Sequence, residues 1–325
     1  MKVLVTGANG LLGHHVVFEL LKRNHAVRII VRSTKSIYFD LNSVDVFVGN
    51  FNDSNLLKQA ADGCDGIIHM AAVTDTKLLH YEDYQKINAA GAMVITSIAT
   101  EKNINNLVFV STANTIGYGK PNQPADETFP IEFPFSNSFY AQSKVEAEKI
   151  FLEASKQPNK HIVIINPTFM IGAYDSKPSS GKLILMGYKK RLMFTPKGGK
   201  NFVAVKDVAM ATCNALTLGR NGEQYLVSGI NLSFAEFYKI QKQTGNYKQV
   251  LITIPNYLLN IIGRTGDLVR RLGIKTELCS MNLRQLMIQE YYLNQKAKTE
   301  LNLPKTELEI AINESIEWFK IQKMV

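Results

Sequence analysis

Lys2-Val3-Leu4-Val5-Thr6-Gly7-Ala8-Asn9-Gly10-Leu11-Leu12-Gly13 is the stretch on which the fold turns. Lys2–Thr6 is a short, strand-like apolar run, and the residues after Gly10 suit a helix. A strand, a glycine-rich turn and a helix in direct succession make a phosphate cradle. Gly7 permits the tight turn, Gly10 lets backbone approach a pyrophosphate, and Gly13 lets helix and strand pack closely. Asn9, Leu11 and Leu12 complete the turn, and the free N–H groups at the helix start face the phosphates. Such glycine spacing arises often by chance; its position between a first strand and a first helix makes it specific.

Beyond this turn, the first two-thirds of the chain alternates short β-branched runs with longer helical stretches. Strands are expected at Lys2–Thr6, Ala26–Val31, Val44–Val48, Gly66–His69, Asn106–Ser111 and His161–Asn166. Helices are expected near Leu11–Arg23, Asn55–Ala61, Tyr84–Lys102 and Phe139–Ser155, with Asp53 capping the second. This alternation predicts an α/β fold of the Rossmann type: a doubly wound parallel sheet covered on both faces. A nucleotide-binding domain is expected over residues 1–167 and a smaller substrate-binding lobe over 168–325, with late segments returning to the sheet. In that late part, Gly222–Gly229 reads as a strand and turn, and Lys296–Leu303 and Glu307–Phe319 as terminal helices.

The second strand ends at Ile30-Val31-Arg32. An acid near this place would grip a ribose 2′-hydroxyl, whereas Arg32, with Lys35, would pair with a 2′-phosphate. NADP is the expected cofactor, with NAD as the alternative.

Tyr140-Ala141-Gln142-Ser143-Lys144 lies in a helix-forming stretch, so Tyr140 and Lys144 share a face one turn apart. A phenol with a pKa of about 10 is a poor base at neutral pH, and a nearby ammonium is expected to lower it. The preceding strand ends in Ser111-Thr112 on the sheet edge that holds the cofactor turn, so Thr112 is placed to bond a substrate oxygen while Tyr140 moves the proton.

With these residues in place, the chain resembles the extended short-chain dehydrogenase/reductases from Met1 to about Lys320. Gly7–Gly13 is similar to their cofactor loop, and Gly49-Asn50-Phe51-Asn52-Asp53 to the segment touching adenine, with Asn50 where aspartate is usual. His69-Met70-Ala71-Ala72 resembles the fourth-strand motif beside the cofactor, and Asn166-Pro167-Thr168 the turn under the nicotinamide. Asn88 matches a helix asparagine that orders the site. Thr112 stands where serine is usual. Within the family the likeness is greatest to dihydroflavonol-reductase-like and hopanoid-associated sugar epimerase-like proteins, through Ser111–Gly117, Pro124–Thr128, Asp175–Pro178 and Asn201–Ala209. The resemblance implies Tyr140 as general acid/base, Lys144 as the ribose ligand that tunes it, Thr112 as the group positioning the carbonyl, and Asn88 as support for the helix and a water relay.

Three functions follow from different classes. The preferred one is an NADP-dependent carbonyl reductase or alcohol dehydrogenase. Its small-molecule substrate would carry a carbonyl or hydroxyl, in a partly apolar site that includes Phe169, Met170, Met186 and Tyr188. A nucleotide-sugar epimerase holding NAD is the alternative, and a catalytically silent cofactor sensor the third. A 4,6-dehydratase fits less well, because that branch places acids after its catalytic threonine, where Ala113 and Asn114 stand.

The rest of the sequence narrows the setting. Cys64, Cys213 and Cys279 are scattered, with neither metal-ligand nor disulfide spacing, so a reducing compartment and no metal are expected. With no leader and no apolar run long enough to span a bilayer, a cytoplasmic location follows. The net charge of +9 suits anionic ligands. Its thickening between Lys182 and Lys206 is read as a solvated face, since no nucleic-acid module is visible. Tyr257–Ile262 is read as part of a helix over the substrate pocket, with a membrane-surface element as the alternative. His14 and His15 are read as packing or surface groups. A homodimer is the assembly that many relatives adopt.

Overall fold

The computed structural model describes residues 1–75 and 77–325. Its strands are β1 (Lys2–Thr6), β2 (Ala26–Val31), β3 (Asp45–Val48), β4 (Gly66–His69), β5 (Asn106–Val110), β6 (His161–Pro167), β7 (Phe169–Ile171), β8 (Leu192–Thr195), β9 (Gly199–Ala204), β10 (Glu223–Val227), β11 (Ile230–Ser233), β12 (Val250–Thr253) and β13 (Gln289–Glu290). The helices are α1 (Leu11–Lys22), α2 (Ser54–Ala61), α3 (Glu82–Glu101), α4 (Phe139–Ala154), α5 (Lys182–Gly187), α6 (Val205–Asn214), α7 (Phe234–Thr244), α8 (Asn256–Arg271), α9 (Ser280–Gln285), α10 (Gln295–Glu300) and α11 (Leu308–Ile321).

The main sheet runs β3-β2-β1-β4-β5-β6-β10, and every pairing in it is parallel. This is the doubly wound α/β fold expected of the sequence. Alternate residues of a strand serve opposite layers. Val3 and Val5 join the core under α1 and α6, while Leu4 joins the core under α2, α3 and α4. Both layers are apolar, which is why the central strands read as continuous hydrophobic runs. Asp53 caps α2 by accepting from the Asn55 and Leu56 amides, and the helix starts one residue before the expected Asn55. The other element ends differ from expectation by no more than three residues.

Strand order reverses between β1 and β4, and in such sheets the crevice beyond that point takes the ligand. The seventh strand, β10, comes from the late part of the chain and pairs with β6. Beside the sheet, β7, β9, β11 and β13 form a second small sheet, and β8 pairs with β12 in a separate two-stranded ribbon. A third apolar cluster, built from Ile184, Phe237, Ile312, Phe319 and their neighbours, underlies these late elements.

Candidate active site

The β1–α1 turn shows why its glycines are needed. Gly7 has φ +77°, and a Cβ there would lie 2.8 Å from the Ala71 amide nitrogen. A Cβ at Gly13 would lie 2.2 Å from the Gly7 carbonyl oxygen, so helix and turn touch through bare backbone. Gly10 precedes α1 with an extended backbone, and it is exposed. The amides of Leu11, Leu12 and Gly13 fall in the first helical turn and have no intrahelical partner. Asn9 is half-buried beside them. This arrangement fits a pyrophosphate at the mouth of the sheet.

On the far side of the switch point, the Thr6 hydroxyl accepts from the Met70 and Ala71 amides at 3.2 Å each and pairs with His69 Nδ1 at 2.7 Å. That clamp fixes Ala71 and Ala72 beside Gly7. Phe51 lies edge-on to His69 with ring centroids 5.2 Å apart. The exposed Asn50 carboxamide accepts from the Asn52 amide at 3.1 Å. Arg32 and Lys35 lie just beyond β2, are exposed, and form no ion pair among the described residues. Pro167 ends β6. The Thr168 hydroxyl donates to Asn201 Oδ1 at 2.7 Å, tying that strand end to β9.

Helix α4 carries Tyr140 and Lys144. Lys144 is fully buried: its ammonium donates to the Val110 carbonyl at 2.8 Å and lies 4.1 Å from the Phe109 ring centroid. Burial lowers its pKa to about 7, against a smaller upward pull from Glu148. The Tyr140 phenol moves the other way. Burial pushes it up to about 12, and the one influence that lowers it is the Thr112 hydroxyl. This corrects the sequence expectation that Lys144 would bring the phenol down. An amine spent on a backbone carbonyl in a dry pocket gives the phenol little support, and desolvation wins.

Asn88 is buried in α3. It accepts from the Val73 amide at 2.8 Å and donates to the Val73 carbonyl and to Ser143 Oγ at 3.2 and 2.9 Å. Ser143 in turn donates to the Tyr140 carbonyl at 2.7 Å. Asn88 thus joins the loop after β4 to the first turn of α4. It acts on Tyr140 through backbone and touches no reacting group.

Sequence reasoning missed a buried bracket behind Thr112. Glu148 Oε1 accepts from Thr115 Oγ1 at 2.7 Å and from Asn166 Nδ2 at 2.8 Å. Thr115 and Asn166 also donate to the Thr112 carbonyl, at 2.8 and 3.1 Å. Burial raises Glu148, and these donors hold it back. The spacing Tyr140, Lys144, Glu148 was the available signal: three residues at intervals of four share one helix face.

Tyr140 borders a cavity of about 550 Å³, lined also by Leu78, Leu79, Tyr84, Phe139 and Met281, with Arg270 and Arg271 from α8. The late apolar residues expected at the substrate lie elsewhere. Phe169 stacks edge-on against Phe202, Tyr188 is buried in the late apolar cluster, Met170 packs against the main core, and Met186 is exposed. Their apolar character was plain in the sequence, but only the packing shows that Phe169, Met170 and Tyr188 face a core.

Of the histidines near the turn, His14 is buried and stacks on Tyr174, and His15 bonds the Ala173 carbonyl at 3.2 Å; both are packing groups. Three cations of the basic stretch are ion-paired, Lys182 with Glu277, Lys200 with Glu290 and Lys206 with Glu314. No described helix is long and apolar enough to cross a membrane.

The chain and its fold have counterparts among known proteins. Residues 3–228 match the model of the NAD dependent epimerase/dehydratase family, so the chain belongs to that family. It is an NAD(P)-dependent enzyme of the extended short-chain dehydrogenase/reductase type. A putative dihydroflavonol 4-reductase of Synechocystis is 28% identical over 330 residues, covering 97% of this chain and 94% of that one. Sterol demethylase protein B of Methylococcus capsulatus is 25% identical across the full length of both chains. A 4-hydroxy-2-methyl-3-oxo-4-farnesyl-3,4-dihydroquinoline-1-oxide ketoreductase of Stigmatella aurantiaca is 28% identical, covering 82% of this chain and 80% of that one. The crystal structure of gox2253 superposes with a TM-score of 0.84 at 26% identity, over 100% of this chain and 99% of that one. The UDP-glucose 4-epimerase of Thermotoga maritima shares the fold, with a TM-score of 0.79 at 17% identity over 99% of this chain and all of that one.

Proposed function

We propose that the chain is an NADP-dependent carbonyl reductase, working also as an alcohol dehydrogenase in reverse, with Thr112, Tyr140 and Lys144 as its catalytic groups. The observation that carries this reading is the state of Tyr140. A phenol held at about 12 is protonated across the physiological range, is influenced by the Thr112 hydroxyl and is set at a cavity wall. Such a group is a general acid. When a carbonyl accepts hydride, the alkoxide that forms is far more basic than this phenolate, so the proton passes downhill from Tyr140. Thr112 is placed to donate to the same oxygen. The nicotinamide supplies the hydride when bound.

The cofactor would rest on Gly7, Asn9, Gly10, Leu11, Leu12 and Gly13 through backbone donors. Asn50 and Phe51 would lie at the adenine, Ala71 and Ala72 beside the cofactor, Pro167 and Thr168 under the nicotinamide, and Lys144 at its ribose. The exposed guanidinium of Arg32 and the ammonium of Lys35 favour a 2′-phosphate, hence NADP. Several relatives bear reductase or ketoreductase names, which supports net reduction over epimerisation. The test is consumption of NADPH against a panel of ketones and aldehydes. Stoichiometric loss of NADPH with alcohol formation is expected; tightly held NAD with no net consumption would point to an epimerase.

A further inference from the structure

Helix α8 is mounted with its apolar side outward. It packs on the segment around α9 through glycines: a Cβ at Gly263 would lie 2.8 Å from Ser280 Cα, and one at Gly266 would overlap the Leu278 carbonyl. Of its large apolar residues only Leu259 is fully buried. The opposite face presents Tyr257, Leu258, Ile261, Ile262 and Leu268, continued by Leu272 just past the helix. Tyr257, Ile261, Leu268 and Leu272 are 64%, 58%, 59% and 78% exposed. Through Ile254-Pro255 the helix joins the β8–β12 ribbon, where Leu192 pairs with Val250 and Phe194 with Ile252; all four are exposed. A single-chain surface rarely leaves so many large apolar groups in solvent without a use.

Cations outnumber acids in the segments that carry this face. Lys189, Lys190 and Arg191 precede β8, Lys248 precedes β12, and Arg264 and Lys275 lie on α8 or just after it. Unlike Lys182, Lys200 and Lys206, none of these six is in an ion pair among the described residues. The one acid in residues 186–197 and 245–275 is Asp267, whose carboxylate accepts from the Ser280 amide and faces inward. A second copy docked here about a two-fold axis would set this cationic rim against itself. An anionic bilayer meets both features: acyl chains for the apolar face and headgroup phosphates for the rim.

We propose that α8 and the β8–β12 ribbon dock the protein on the surface of an anionic lipid bilayer. The inner side of α8 supplies Asp267, Arg270 and Arg271 to the cavity beside Tyr140, so docking brings a wall of that cavity to the lipid. This placement suits a lipid-soluble substrate, and the docking itself stands whether or not the reductase reading does.

The test is sedimentation of the full-length protein with vesicles of phosphatidylglycerol or of phosphatidylcholine. Binding to phosphatidylglycerol at least about tenfold stronger is expected, weakening as salt screens the charges. Ile261→Asp with Leu268→Asp should cut it by at least about tenfold. Reversing Lys189, Lys190 and Arg191 to glutamate should remove the preference for phosphatidylglycerol and, being confined to exposed loop positions, serves as the test if the first variant fails to fold. Equal binding to both lipids, no binding, or unchanged binding by these variants would overturn the proposal. So would a solution dimer that the Ile261/Leu268 variant splits, since a second copy would then cover the face.

Discussion

At the scale of single residues, Lys144 is the most consequential side chain in the molecule. Its ammonium has one backbone acceptor and a ring for company, and burial lowers it from 10.5 to about 7. Between those values the unfolded chain binds the proton that the folded chain has lost, so stability rises with pH across that window. Below about pH 7 the fold carries the full cost of a buried cation. Lys144→Met is therefore expected to melt higher than the parent at pH 7, by on the order of 2 kcal/mol, with the gap closing towards pH 10. A Met variant that melts lower at pH 7 would show that the ammonium stabilises the fold. Arg32 makes a separate prediction, since on the proposed NADP reading it would make one charge-assisted contact to a 2′-phosphate. Arg32→Ser should weaken NADPH binding by about tenfold or more while leaving NADH affinity within about twofold, as read by fluorescence titration.

At the scale of elements, two junctions hold the site. One is the contact of α1 with the β1 turn. Gly13→Val forces a side chain into the 2.2 Å approach to the Gly7 carbonyl, so α1 must lift from the sheet. A loss of about 3 kcal/mol in denaturant melts is expected, together with loss of NADPH binding. The other junction is Asn88, between the loop after β4 and the start of α4. Asn88→Ala strands the Val73 amide and frees Ser143, at a cost of about 1–3 kcal/mol. Because Asn88 positions Tyr140 rather than touching substrate, kcat should fall about tenfold while NADPH affinity barely changes.

The same elements show what the sequence disclosed and what it withheld. Gly7, Gly10 and Gly13 were readable because their requirement is local: a turn, a bare approach, a close packing. Tyr140 and Lys144 were readable as a helical pair, yet the direction of the Tyr140 shift was not. It depends on how far β5 and α3 enclose α4, which no local pattern records. The Glu148–Thr115–Asn166 bracket joins three segments distant in sequence and becomes visible only in the fold. Tyr257–Ile262 was legible as part of a helix over the pocket, but which side faces inward was set by Gly263 and Gly266, residues that a hydrophobic pattern counts as silent.

For the whole molecule, the chain brings its chemistry to one edge of the sheet. The strand order reverses between β1 and β4, the glycine turn and the Ala71–Ala72 loop flank that point, and Thr112 lies two residues past the end of β5. The late segments contribute β10 to the sheet and α8 to the cavity that Tyr140 borders. The proposed reduction would need no group beyond those already gathered: a cradle for the dinucleotide, a threonine for the carbonyl oxygen and a phenol that keeps its proton until the alkoxide forms. The measurement closest to that claim compares parent and Tyr140→Phe with NADPH and a ketone that the parent reduces. Turnover should fall by about a thousandfold with NADPH affinity intact; turnover equal to the parent would show that the proton comes from elsewhere.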